Sequence, residues 1–210
     1  MSKISLKHSG GNVVSLNSPT SAPTSADVAF NLPNADGSAG QFMKTDGSGN
    51  LSFDAVTAGI TQSDEWRINT GFNATTQFLT SNWERNDTDF ALIGSGMTES
   101  SGVFTFPATG VYRISYYIVA YASNKQVRYI GGNIHQTTNN SNYTKRSNGY
   151  TSLSNDANAY CSTSMTNIFD VTNTTTHKVK FDIEAESEVG WDGSSTQNRT
   201  YVTFTRLGDT

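Results

Sequence analysis

A single cysteine, Cys161, leaves no partner for an internal disulfide and falls far short of a structural zinc site. Charged residues make up only 15% of the chain, and the net charge of −4 withholds the electrostatic footprint expected of a nucleic-acid-binding protein. No run approaches the roughly eighteen apolar residues of a membrane span, so no membrane insertion is expected. The opening residues MSKISLKHSGG lack the apolar core of a secretory signal. Long stretches of Ala, Leu, Glu, Lys or Arg that would build helices are also few. Hydrophobic residues reach only 35%, so stability must come from efficient packing or from other subunits.

Small polar residues fill the gap. Ser, Thr and Asn number 26, 28 and 20 of the 210 residues, beside 18 Gly and 11% aromatics. Thr, Tyr, Phe and Val suit a pleated surface, while Asn, Gly and Ser suit turns. The expected fold class is all-β: an extended arm with a hairpin over residues 1–60, then an antiparallel jelly-roll sandwich over 61–210.

The arm begins with a weak alternation around Ile4, Leu6, Val14 and Leu16, interrupted by His8-Ser9-Gly10-Gly11. Pro19 and Pro23 stiffen a linker over 18–25. Val28, Phe30 and Leu32 then alternate as one short strand face. Two Asp-Gly signals, at Asp36 and Asp46, bracket Gln41–Thr45, and Leu51-Ser52-Phe53 follows. That arrangement predicts a hairpin whose turn glycine supplies the positive φ. A lone hairpin is marginal in water, so Phe30, Leu32, Phe42, Leu51 and Phe53 are expected to anchor the arm on another surface.

The domain boundary is placed within 55–63, near Gly59, and strand follows strand after it. Expected strands cover Trp66–Ile68, Phe78–Leu79, Phe90–Ile93, Gly102–Pro107, Val111–Tyr121, Gln126–Gln136, Tyr160–Val171, His177–Ser187 and Arg199–Leu207. In the longest run, Tyr112, Ile114, Tyr116 and Ile118 share one face, and Arg113, Ser115, Tyr117 and Val119 share the other. Both faces turn apolar toward the end of the run, which implies burial on two sides. Residues 137–149 are expected to form a long exposed loop.

The segment Gly102-Val-Phe104-Thr-Phe106-Pro-Ala-Thr-Gly110-Val-Tyr112-Arg-Ile114, with the closing strand Thr200-Tyr-Val202-Thr-Phe204-Thr-Arg-Leu207, resembles the jelly roll shared by tumour necrosis factor and the globular heads of complement component one q. The resemblance covers residues 64–210. It implies a homotrimer packed about a three-fold axis, with Tyr117, Val119 and Tyr121 at the subunit contact. Separately, Leu32-Pro-Asn-Ala-Asp36 through Asn50-Leu51-Ser-Phe53 is similar to a segment widespread in bacteriophage virion proteins, especially fibres and minor structural proteins of marine phages. That likeness implies a virion component assembled in the bacterial cytoplasm, with the major capsid protein or another virion protein as partner.

Material for an active site is thin. His8, His135 and His177 lie in separate segments without metal-ligand spacing. His177 reads as a turn or strand-edge residue and Cys161 as a buried, inert thiol. No nucleophile elbow or phosphate loop occurs. Asp182, Glu184, Glu186 and Glu188 alternate with Ile183, Ala185 and Ser187, which places the acids on one strand face about 6–7 Å apart. The readings open for this row are a solvated face or pairing with Lys178, Lys180 and cross-strand cations, a calcium site at Asp182, Glu184 and Glu186 as in some jelly-roll trimers of the resembling family, or a glycosidase pair. Tyr143, Lys145 and Arg146 mark a polar loop suited to a glycan or protein surface, or to no ligand at all. The expected function is that of a non-enzymatic virion structural protein without cofactor. Capsid decoration is the first reading, and a fibre or head-fibre tip adhesin for a host receptor, such as a glycan, is the alternative.

Overall fold

The computed structural model describes residues 3–7, 9–17, 20–21, 29–55 and 59–210, and every structural statement below concerns these. The expectations for His8, the prolines of the linker and Val28 lie outside the described residues. The chain divides into two units, Met1–Ala58 and Gly59–Thr210.

The first unit holds two hairpins. β1 (Lys3–Lys7) pairs antiparallel with β2 (Val13–Asn17), and β3 (Gln41–Thr45) with β4 (Leu51–Ala55). The second turn is made as its glycines predict, with Gly47 at φ 80° and Gly49 at φ 89°. Asp46 accepts from the Ser48 and Asn50 amides and from the Asn50 side chain, which lowers its pKa through the Asn50 hydrogen bond first. Across the strands Lys44 pairs with Asp54. Phe30 and Leu32 are not in a strand: the neighbouring Asn31 makes a single parallel bridge to Asn50. Alternation of two apolar residues does not make a strand where only one residue finds a ladder partner.

The second unit is an antiparallel jelly-roll sandwich without helices. Its strands are β5 (Ser63–Ile68), β6 (Thr70–Phe78), β7 (Trp83–Arg85), β8 (Thr98–Ser100), β9 (Val103–Thr105), β10 (Gly110–Ala122), β11 (Val127–Thr137), β12 (Thr144–Leu153), β13 (Ala159–Val171), β14 (Lys178–Ser194) and β15 (Tyr201–Gly208). One layer runs β7-β5-β15-β10-β13. In the other, β12-β11-β14 is flanked along β14 by β6 and β9. The layers join where Ala120 and Tyr121 of β10 pair with Trp191 and Gly190 of β14.

Tyr112, Ile114, Tyr116 and Ile118 all point into the core, as period two requires. They meet Val179, Phe181, Ile183 and Ala185 from β14, Val202 and Phe204 from β15, and Ile130 and Ile134 from β11. Phe104 sits at the hub, with the rings of Trp66, Trp83, Phe181 and Phe204 centred 5.1–5.6 Å away. Burying each such ring contributes about 1.5–3 kcal/mol, which is how a chain poor in aliphatics builds a core.

Several segments depart from the sequence expectation, β6 among them, which spans Thr70–Phe78 where the sequence marks only Phe78–Leu79. Phe90–Ile93 is no strand; Ile93 alone bridges Ser63, and the left-handed Asp89, Gly94 and Gly96 break the run on both sides. Residues 137–149 are not one loop: β12 starts at Thr144, so Lys145 and Arg146 lie on a strand. Its outward side chains are polar and its pairing with β11 is interrupted by register shifts, so no apolar alternation marks it. β14 continues past Ser187 to Ser194 because shifts after Glu184 and after Trp191 re-register it against β6.

Candidate functional site

Period two along β14 turns Lys180, Asp182 and Glu184 away from the core. β11 sets Asn133 opposite Asp182 and His135 opposite Lys180. β12 adds Tyr150 opposite Gly131, and Lys145 opposite His135. Asp182 and Glu184 of the acid row thus share one sheet face with Lys145 of the predicted ligand segment.

The acids there are paired across the strands, with His135, Lys145 and Arg128 of β11 and β12 rather than with Lys178 or Lys180 of their own strand. Asp182 is only 8% exposed. Its carboxylate accepts from Asn133 Nδ2 at 2.6 Å and lies 2.8 Å from His135 Nε2, while the Phe78 ring packs 5.0 Å from that imidazole. Glu184 accepts from the Tyr150 hydroxyl at 2.8 Å, Asn133 Nδ2 at 3.2 Å and Lys145 at 3.4 Å. The Tyr150 bond, aided by Asn133 and Lys145, holds the Glu184 pKa below the usual carboxylate value. Partial burial pulls Lys145 down, but attraction to Glu184 and its neighbours outweighs it and the net shift is upward. Burial, then the bond to Glu184, raises Tyr150. Glu186 pairs with Arg128 through both backbone amide and guanidinium. Lys180 lies 3.8 Å from the Phe78 ring centre and 4.3 Å from that of Tyr143.

Of the calcium candidate's carboxylates, Asp182 faces His135, Glu184 is held by Tyr150 and Lys145, and Glu186 by Arg128, with Asn133 shared between Asp182 and Glu184. Among the described residues no group of three or more His, Cys, Asp or Glu side chains is arranged to hold a metal ion. The re-registering of β14 separates Glu188 from this face, so the four acids are not one row. Arg146 has no ion-pair partner among the described residues.

The outward face of β10, β13 and β15 is of another kind. Tyr117 stacks on Tyr201 at 4.5 Å and 7°, and Ser115 bonds Thr166 at 3.1 Å. Ile168 and Leu207 stand more than half exposed on the neighbouring strands. Val119 is half-buried, and both its backbone groups bond the Thr200 hydroxyl. Tyr121 is occupied within the chain, its ring lying directly over Gly190. Burial pushes the Cys161 thiol up, and His177 is held between the Thr172 and Thr176 hydroxyls against Phe169.

In the first unit, Phe30, Leu32 and Phe42 are exposed, as is Met43, which the sequence reading passed over. Leu51 and Phe53 are half-buried, and a Cβ on Gly37 would come within 2.7 Å of the Phe53 ring.

Sequence reasoning also missed a polar clamp beside β5. Asp64 is buried and accepts from the Met97 amide at 2.7 Å, the Glu65 amide and Trp66 Nε1 at 2.9 Å, and Arg85 Nε at 3.1 Å. Arg67, also buried, bonds Asn86 at 2.9 Å, Asp87 at 2.6 Å and the Ser195 carbonyl. Charged letters inside a strand signal exposure unless their partners are known, and these partners lie 17 or more residues away for Arg67 and up to 33 for Asp64.

No family model matches the sequence, and no curated protein matches it. Solved structures do. Murine APRIL at pH 5.0 superposes with a TM-score of 0.50 and 12% identity, over 70% of this chain and 98% of that one. The same protein at pH 8.0 gives 0.50 and 11% over the same shares. Eiger TNF from S. frugiperda gives 0.52 and 13%, over 72% and 96%. At such identities the likeness is one of fold, and the fold is the jelly roll of the tumour necrosis factor ligands.

Proposed function

We propose that this chain is a homotrimeric virion structural protein, a capsid decoration protein whose N-terminal arm grips neighbouring capsid subunits while its jelly roll stands outside. The carrying observation is the contrast between the two units: a complete jelly roll, and a pair of small hairpins that leave Phe30, Leu32, Phe42 and Met43 exposed. Large apolar side chains on a marginal hairpin are stable in company, through strand addition and burial on a second surface. The likeness of residues 32–53 to phage virion segments supports a capsid or fibre protein as that surface.

Trimerisation is supported by the aromatic and small-residue face carrying Tyr117, Tyr201, Ile168 and Leu207, in a fold shared with tumour necrosis factor ligands. Val119 and Tyr121 border that face. Three arms per trimer raise the effective concentration of each weak contact, so occupancy persists although single arms bind poorly. The same design serves a fibre-tip adhesin, a reading favoured by the exposed Lys145 and Arg146 beside Tyr143.

The test is a virus carrying Phe30→Ser, Leu32→Ser and Phe42→Ser together. Particles should lose the protein while the purified variant keeps its native oligomeric mass. Wild-type occupancy on the particle would overturn the reading.

A further inference from the structure

One end of the sandwich carries a transverse row of four residues on four paired strands: Tyr160 on β13, Tyr121 on β10, Gly190 on β14 and Asn73 on β6. The glycine makes a dip in the row. A Cβ at Gly190 would lie well inside van der Waals contact with the Tyr121 ring, so only glycine lets that ring settle there. Ser123 and Lys125 from the β10–β11 turn, Asn158 from the turn before β13, and Glu188 enclose a cavity of about 390 Å³ over the dip.

We propose that this cavity is a saccharide site that takes a neutral pyranose ring. Its wall is an aromatic pair, Tyr121 and Tyr160, with ring centres 5.4 Å apart and planes tilted by 31°. Tyr160 is 61% exposed, so its ring is presented to solvent. The electron-rich face of such a ring attracts the polarised C–H groups on the apolar face of a sugar.

Hydrogen-bonding groups line the same cavity. The side chains of Asn73, Asn158 and Glu188 have no hydrogen-bond or ion-pair partner among the described residues. Two amides and a carboxylate offer both donors and acceptors in one lining, which is the set that sugar hydroxyls need, since each hydroxyl both donates and accepts. Lys125 is tied down, donating to the Glu188 carbonyl. With one cation and one anion in its lining, the cavity carries no net charge, and a phosphate or carboxylate ligand would find no surplus of positive charge. Mixed aromatic and amide walls also suit a ring with one apolar face better than a wholly apolar guest.

This site is separate from the Tyr143–Lys145–Arg146 segment and does not rest on the virion assignment, because the assay reads the purified full chain. The experiment is saturation-transfer NMR with methyl glucopyranoside, methyl galactopyranoside and N-acetylglucosamine, with inorganic phosphate and p-cresol as competitors. At least one sugar should show transfer, strongest on its ring C–H protons and unaffected by phosphate. Tyr160→Ala and Glu188→Ala should each weaken that binding at least tenfold, with thermal unfolding and sedimentation unchanged. Gly190→Ser, which fills the dip, should abolish it. Absence of transfer from all three sugars would overturn the proposal. So would full displacement by phosphate or p-cresol, undiminished binding in Tyr160→Ala, or loss of the native oligomer in that variant, which would make the pair a subunit contact.

Discussion

Replacing Asp64 by alanine strands several donors at once. The carboxylate is 2% exposed and receives the Met97 and Glu65 amides, the Trp66 indole N–H and the Arg85 guanidinium. Arg85 is about one-third exposed and can turn to water, so its loss is small. The buried Met97 amide has no such escape and the half-buried Trp66 indole only a partial one, and each stranded buried donor costs about 1–3 kcal/mol. Asp64→Ala should therefore destabilise the jelly roll by about 3–5 kcal/mol, a large share of the roughly 5–15 kcal/mol typical of a domain. Asp64→Asn keeps one acceptor oxygen and should cost about half as much. Urea unfolding at fixed protein concentration reads both: with a slope of about 2 kcal/mol per molar, the alanine midpoint should fall by roughly 2 M. A loss below about 1 kcal/mol for alanine, or equal losses for the two variants, would refute the clamp.

Other perturbations reach the remaining parts of the account. Tyr117→Asp combined with Ile168→Asp should convert trimers to folded monomers in sedimentation while circular dichroism stays that of a β protein; an unchanged mass would remove this face from the interface. Glu184 has a lowered folded-state pKa, so its stabilisation is present above the ordinary carboxylate value of 4.5 and lost as pH falls through the lower folded value. Glu184→Gln should accordingly cost about 1–2 kcal/mol at pH 7 and converge with the native chain in stronger acid; a difference that persists at low pH would contradict the hydrogen-bonded carboxylate. Gly132→Ala would press a methyl group onto the Asp182 carbonyl and Ile118, and should cost about 1–3 kcal/mol in thermal unfolding. A melting temperature equal to that of the native chain would show that β11 and β14 can part there.

Legibility in the sequence followed burial. β10 could be read because Tyr112, Ile114, Tyr116 and Ile118 all face the core, and β14 because Val179, Phe181, Ile183 and Ala185 do. β6 and β12 escaped notice as strands of their actual length because both are mostly solvent-exposed, and exposed strands carry no apolar alternation. The turn at Asp46 was legible because its chemistry is local. The polar face was half legible: its acids and the Tyr143–Lys145 segment were visible as separate motifs, while Tyr150, which bonds Glu184, carried no signal. Their meeting depends on the register of β11 between β12 and β14, a non-local quantity. The same holds for the row Tyr160, Tyr121, Gly190 and Asn73, which spans four strands far apart in sequence.

A density map of the assembled virus particle would show where the protein sits and which of its parts touches the shell. Three-fold jelly-roll heads should stand off the capsid, each joined by three arms whose Phe30, Leu32 and Phe42 lie against capsid subunits. A particle without the protein, or one in which the heads bind the shell while the arms stand free in solvent, would contradict the decoration role.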